Sequence, residues 1–350
     1  MAKAGDINPK NNNYLLGQTK AEDMFLQAWK SENLHHAWIL SGRKGVGKAT
    51  LAFRIARFML WANIEQKEQY NSLNVPENSP IFKQVADGSH PDLKVLERGF
   101  VETDKRKVIK AIQNGEPMSD DELSRLKKSA YIRIDEVREA VDFLSKTSFN
   151  NGWKIVIIDS ADEMNRNAEN ALLKILEEPP AKTLLLLVCH NMGTLLPTIR
   201  SRCVKLNLQD LSTNEVASLL RRYRPDLNEK QIAKLSEMCN GSIGKAIQYA
   251  DFDAVRIYDD LCKIAFNKGQ GSLSQMIAFC SDLAADGDKF SLSEDLFYKF
   301  FRDLMEQSPK AEDVYKCYQQ AKKMFAECAS VNMDKSLMLL NLFNNITKVV

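Results

Sequence analysis

The sequence carries almost no net charge. Lys and Arg number 48 against 46 Asp and Glu, a net of +2 over 350 residues. Nothing marks it as an acidic tail protein, and bulk charge gives no argument for nucleic-acid binding. It also lacks any uninterrupted apolar run near the ~18 residues that a membrane-spanning helix needs. Residues Met1 to Asn13 are polar and rich in Asn. With no apolar stretch after the early lysines, no secretory leader and no membrane partner are expected, and the expected location is cytoplasmic. The seven cysteines, at 189, 203, 239, 262, 280, 317 and 328, include no C-x-x-C pair. An odd number of thiols scattered through helix-like patterns reads as reduced and buried, not as disulfides or a zinc site.

What is present is ordinary in bulk, 44% hydrophobic and 27% charged. At ~150 residues per domain the chain holds two or three domains. Its texture changes near Leu208. Before that point short apolar runs alternate with amphipathic stretches: Trp38–Leu40, Leu93–Leu96, Ile155–Ile158, Leu184–Val188 and Val204–Leu208. Runs this short, bounded by turn residues and separated by helical patterns, suit strands buried on both faces of a parallel sheet, the α/β class. After Leu208 the strand signal stops. Ser212 with Glu215, and Asn228 with Gln231, read as capping boxes that open two helices. Gly241 interrupts the pattern, and from about Phe252 the spacing is helical throughout. Leu339, Leu342, Phe343, Ile346 and Val349 form one such face. The expected architecture is therefore α/β followed by all-α, divided at 1–208, 209–252 and 253–350. Between Glu97 and Ser129 lies a charged segment with Lys105, Arg106, Lys107 and Lys110 on one side and Asp120, Asp121 and Glu122 on the other. It reads as a solvated helical insertion, because no aromatic residues interleave the lysines as nucleic-acid binding would favour.

The most specific local pattern is Gly42-Arg43-Lys44-Gly45-Val46-Gly47-Lys48-Ala49. It follows a short strand and precedes a helix with Leu51, Ile55 and Phe58, the setting in which backbone N–H groups and a helix N-terminus surround a phosphate. Gly42, Gly45, Gly47, Lys48 and Thr50, with Asp159 further along the chain, are the candidates for a degenerate nucleotide site. The pattern departs at Ala49, where a hydroxyl should ligate Mg²⁺. Thr50 is adjacent, but one residue along a helix rotates about 100°. The second half of such a site is an apolar strand ending in an acid, and Lys154–Asp159 is that strand. The position after Asp159 is Ser160, where a carboxylate would orient the attacking water. These two losses point away from efficient hydrolysis. They leave open either a weakly held ATP or ADP, retained without turnover, or a Gly-rich turn with no ligand.

The stretch from Asn170 through Ala171, Leu172, Leu173, Lys174, Ile175, Leu176, Glu177, Glu178 and Pro179 to Pro180, followed by Leu196 to Cys203, resembles the clamp-loader branch of the AAA+ ATPases. Leu34–Leu40, Gly88–Leu93, Ile132–Arg138 and Gly152–Asp159 extend the resemblance over residues 14–208. It implies an AAA+ P-loop domain, a small helical lid domain and a C-terminal helical collar. It also implies a subunit of the bacterial DNA polymerase III clamp loader. This is a hetero-pentameric ring in which motor subunits (gamma or tau) and a delta subunit cooperate to place the sliding clamp on primed DNA. Gly244 stands where motor subunits carry an arginine, and Cys189 and His190 stand where they carry small hydroxyl residues. For His190 a strand-end residue with a local partner is the plainer reading. Ser201-Arg202-Cys203 matches the motif whose arginine reaches a neighbour's ATP. Arg202 is therefore the one catalytic candidate, with a surface cation before a strand as the bland alternative. Many family members carry a four-cysteine zinc module, but residues 62–96 contain no cysteine and His90 alone cannot hold zinc, so no metal is expected. The competing readings are a self-sufficient AAA+ ATPase and a nucleotide-binding regulatory module outside replication.

Overall fold

A computed structural model describes residues 7–116, 118–119, 122–123, 126–266, 273–307, 309–331, 333–347 and 349–350. Each of the five apolar runs is a strand: β1 Ala37–Ser41, β2 Leu93–Leu96, β3 Lys154–Ile158, β4 Thr183–Cys189 and β5 Val204–Asn207. They form one parallel sheet in the order β2-β3-β4-β1-β5. The register aligns Ser41 with both Cys189 and Asn207, and Ile158 with both Leu187 and Leu96. All strands therefore end at the same edge, the edge at which parallel α/β sheets hold ligands.

Every residue of β1, β3 and β4 is buried. Because side chains alternate along a strand, each run feeds two cores. Trp38, Leu40, Ile155, Ile157, Leu184 and Leu186 face α1 (Thr19–Lys30) and α2 (Lys48–Trp61), and α3 (Pro80–Ala86) joins this layer through Phe82 and Val85. Ile39, Val156, Ile158, Leu185 and Leu187 face the other way. There they meet Val137 and Ala140 of a helix at Ile134–Ser145 and Leu172 and Ile175 of one at Arg166–Glu177. A strand with a solvated face would have shown apolar–polar alternation. These do not, because helices cover both faces.

Among its described residues the insertion is largely solvated, as expected. It contains α4 (Glu102–Gln113), whose lysines are exposed, while Asp120 and Asp121 lie outside the described residues. The helices named above follow as α5 (Ile134–Ser145) and α6 (Arg166–Glu177), then α7 (Pro197–Arg200) and α8 (Thr213–Tyr223). The Ser212–Glu215 and Asn228–Gln231 boxes are both formed.

The chain divides into two compact units, residues 1–225 with 240–245, and residues 226–239 with 246–350. The segment 209–252, expected as one small domain, is thus shared between them. Among the described residues the regular elements of the second unit are all helices. Phe297, Phe300, Phe301, Phe325 and Phe343 are buried in it, with Phe297 and Phe343 edge-to-face at 5.3 Å. Leu339, Leu342 and Ile346 line the buried face of its last helix, Lys335–Ile346, and Val349 lies beyond the helix end. All seven cysteines are free thiols, and among the described residues no helix is long and apolar enough to cross a membrane.

Candidate functional site

The loop from Gly42 to Gly47 leaves the C-terminal end of β1 and delivers the chain into α2. Gly47 is the N-cap of α2 in the left-handed region, φ 103°, a conformation that carries little cost only for glycine. The loop is closed on itself. The Lys48 ammonium donates to the carbonyls of Gly42 and Arg43, both at 2.7 Å. It is 3% exposed, and burial pushes its pKa down to about 8, against the pull of Asp162, Cys189 and Asp159.

Asp159 follows β3, at the same edge of the sheet. Burial, with Glu97 adding, raises its carboxyl above the ordinary range, while Lys48 pulls the other way. Ser160 takes a left-handed backbone, φ 62°, and its hydroxyl lies 3.2 Å from Nε2 of His190 at the end of β4. His190 is thus the strand-end residue with a local partner. Burial, with Lys48 adding, holds its pKa down to about 4, so the ring is neutral at pH 7, and Nδ1 meets no partner among the described residues. Asp162 acts electrostatically on Lys48 and is itself held by backbone donors. Its two oxygens accept the backbone N–H groups of His190 and Asn191 at 2.9 and 3.0 Å. Glu163 pairs with Arg98 at 2.9 Å.

The turn at 240–245 lies directly on the loop. Gly244 N–H donates to the Gly45 carbonyl at 3.0 Å, and the Ser242 hydroxyl donates to the Lys44 carbonyl at 2.8 Å. A Cβ on Gly244 would stand 2.9 Å from the Gly45 Cα. An arginine at 244 therefore requires the turn to move off the loop. Arg43 adds to this by donating to the Asn240 carbonyl at 2.9 Å, and it also pairs with Asp210, beyond the end of β5, at 3.2 Å.

Several supporting residues left no mark in the sequence. The Gln18 side chain, 3% exposed, donates to the carbonyls of Val46 and Gln209 and accepts from the Gln209 N–H. It pins the loop to the end of β5. Arg54 and Arg57 of α2 hold the N-terminal segment: Arg57 donates to the carbonyls of Lys10 and Asn12, and Arg54 donates to the Asn13 carbonyl and pairs with Glu22. A buried polar residue has no periodic signature, and its partners here lie tens of residues away.

The structure thus brings Gly42, Gly45, Gly47, Lys48 and Asp159 to one edge, with Thr50 buried in α2. The donor set does not fit a metal-bound triphosphate. Position 49 has no hydroxyl, the Lys48 ammonium is engaged by its own loop, and the residue after Asp159 is a serine, not a carboxylate. Among the described residues no three His, Cys, Asp or Glu side chains gather as a metal site would require. One consequence is measurable. Below about pH 8 the buried Lys48 ammonium is penalised in the folded state. The penalty fades as pH rises toward the lysine's ordinary value of 10.5, where the unfolded chain also loses that proton. The stability of the native chain relative to Lys48→Met should therefore increase between pH ~8 and ~10. Denaturant midpoints of the two proteins across that range check it, and a flat difference would refute it.

Arg202 is elsewhere. It precedes β5, so it sits at the N-terminal edge of the sheet, whereas the loop follows the C-terminal end of β1, the parallel neighbour of β5. One strand length, on the order of 10 Å, lies between the two edges. Arg202 therefore does not serve its own loop. Its Nη1 donates to the Thr198 carbonyl and its Nη2 pairs with Glu177, both at 3.0 Å. Ser201 bonds to the same carbonyl and Cys203 packs against the second core, so both shape the turn.

The chain is similar to subunits of DNA polymerase III. A DNA polymerase III subunit delta′ from Pseudomonas aeruginosa is 32% identical over 207 residues, 59% of this chain and 53% of that one. The subunit delta′ of Bacillus subtilis is 27% identical over 238 residues, 67% of this chain and 60% of that one. A DNA polymerase III subunit gamma from Buchnera aphidicola is 26% identical over 244 residues, 68% of this chain and 57% of that one. The matches span little more than half the length of these relatives. The family model described as DNA polymerase III, delta subunit, matches residues 17–212, which cover the loop, the whole sheet and Arg202. With over half of its length matched, this chain belongs to that DNA polymerase III delta subunit family.

Proposed function

We propose that this chain is a clamp-loader subunit that does not turn over ATP at its own loop and supplies Arg202 to the ATP of a neighbouring motor subunit. The observation that carries the reading is the separation of the two halves of the chemistry. A phosphate loop closed by its own lysine stands at one edge of the sheet, and an anchored guanidinium stands at the other. As a γ-phosphoryl group transfers, negative charge spreads over its oxygens, and a guanidinium held in place stabilises that charge without reorganising. Arginine suits this task because its charge is permanent and its donors lie in a planar fork. In the proposed ring the neighbours are gamma or tau motor subunits and a delta subunit, and the assembled complex acts on the sliding clamp and primed DNA. The near-zero net charge suits a subunit whose principal partners are proteins.

The self-sufficient ATPase reading is disfavoured by Ala49, Ser160 and Gly244, and by the closed loop. ATP turnover by the purified chain tests it directly. The expected result is none above background, with activity appearing once gamma and delta are added and a complex is seen by sizing. Steady turnover by the chain alone, or no complex with those subunits, would overturn the proposal.

A further inference from the structure

Arg202 pairs with Glu177, and the role inferred for that pair rests on the reading of Arg202 just given. Glu177 is the last residue of α6, and its carboxylate stands at the negative end of that helix, where an acid is unfavourable unless a cation answers it. Arg202 is that cation, at 3.0 Å. Both anchors of the guanidinium stand on firmly seated elements. Leu176, next to Glu177, is buried, and its carbonyl is bonded by His36 Nε2 at 3.0 Å. Thr198 lies in the single turn of α7, held by the fully buried Ile199. An arginine has five N–H donors. One on each terminal nitrogen is used here, by the Thr198 carbonyl and the Glu177 carboxylate. Three remain, on Nε, Nη1 and Nη2, enough for a phosphate.

We infer that Glu177 is a positioning residue for the trans arginine. It fixes the rotation of the guanidinium about its long flexible stem, so that the unused donors meet a neighbour's phosphate already aimed. Positional error of the order of an ångström at a reacting centre is costly to rate. Glu177 is half-exposed, which bounds what one such ion pair contributes.

The test is made on the complex assembled from this chain with the gamma and delta subunits, the clamp and primed DNA. Glu177→Ala should lower kcat for ATP hydrolysis at the interface served by Arg202 by about three- to ten-fold, leaving the KM for ATP and the yield of complex unchanged. Glu177→Gln keeps an oxygen that accepts from Nη2 and should restore at least half of the turnover. In an Arg202→Ala background, Glu177→Ala should have no further effect. A residue that served only the fold would lower assembly or thermal stability without this split between kcat and KM. Three results would overturn the inference while leaving Arg202 in its role: Arg202→Ala slow but Glu177→Ala unchanged, Glu177→Ala faster, or Glu177→Gln as slow as Glu177→Ala. If Arg202→Ala itself leaves turnover unchanged, the reading of Arg202 fails, and the role of Glu177 fails with it.

Discussion

Replacing Arg202 with Ala should slow single-turnover ATP hydrolysis at the neighbouring subunit's site by on the order of 10³-fold, the lower end of what such arginines contribute in nucleotide hydrolases. Assembly should persist. The side chain is partly exposed and its ion pair with Glu177 lies at the surface, so the fold loses less than about 1 kcal/mol on truncation. Turnover of the whole complex should fall by less than the effect at the one interface, because other sites keep their own catalytic groups. Measuring a single turnover at the affected interface, with sizing of the complex beside it, separates the two. Arg202→Lys should recover little. A lysine keeps the charge but loses the fork through which Thr198 and Glu177 hold the group, leaving its ammonium unaimed. An Arg202→Ala complex that hydrolyses ATP at the native rate would make Arg202 a surface cation at the head of β5.

The second large effect concerns stability. Arg57 is fully buried in α2, its guanidinium lying 4.7 Å from the centre of the Phe82 ring. Nη1 and Nη2 donate to the carbonyls of Lys10 and Asn12, both at 2.7 Å. Burial, with Arg54 adding, brings its pKa down to about 10, so it remains charged at pH 7. Substituting Ala removes the donors and leaves two carbonyls unanswered, together with a void under Phe82. The expected loss is about 3 kcal/mol. Lys10→Ala, which keeps the carbonyl, should change stability by less than about 0.5 kcal/mol. Denaturant midpoints of the two variants against the native chain check both. Because the segment held by Arg57 continues to Leu15, which lies against Gly47, and to Gln18, which holds Val46, the same substitution should loosen the phosphate loop. Faster amide exchange at Val46 and Gly47 would report it.

The two effects differ in how they could be foreseen. Arg202 stands in the short pattern Ser201-Arg202-Cys203, so the sequence alone is enough to make it a candidate. Arg57 is one of three cations on an apolar-patterned helix, and its partners lie 47 and 45 positions earlier in a segment with no regular structure. The same holds for Gln18, whose partners include Gln209, 191 residues away. Glu177 falls in a recognisable stretch, yet its pairing with Arg202 depends on how α6 and α7 meet.

What the sequence determined by itself was the plan of secondary structure and the residue types at single positions of the loop. Apolar runs of three to five residues, bounded by turn residues and separated by helical patterns, suit strands covered on both faces, and five of them became the five parallel strands. Capping boxes are local too, since donor and acceptor stand three residues apart, and both were formed. The absence of a hydroxyl at 49 and of a carboxylate at 160 is read from single positions. Tertiary structure alone decided the rest. It divided 209–252 between two units and laid the turn at 240–245 on the phosphate loop, where Gly244 meets Gly45 backbone to backbone. It turned Lys48 onto its own loop and placed Arg202 at the opposite edge of the sheet. The physical reason is range. Hydrophobic periodicity and capping act within a few residues, so a sequence displays them. A buried polar group is satisfied by whichever distant backbone atom the packed fold brings within 3 Å, and no spacing along the chain announces that.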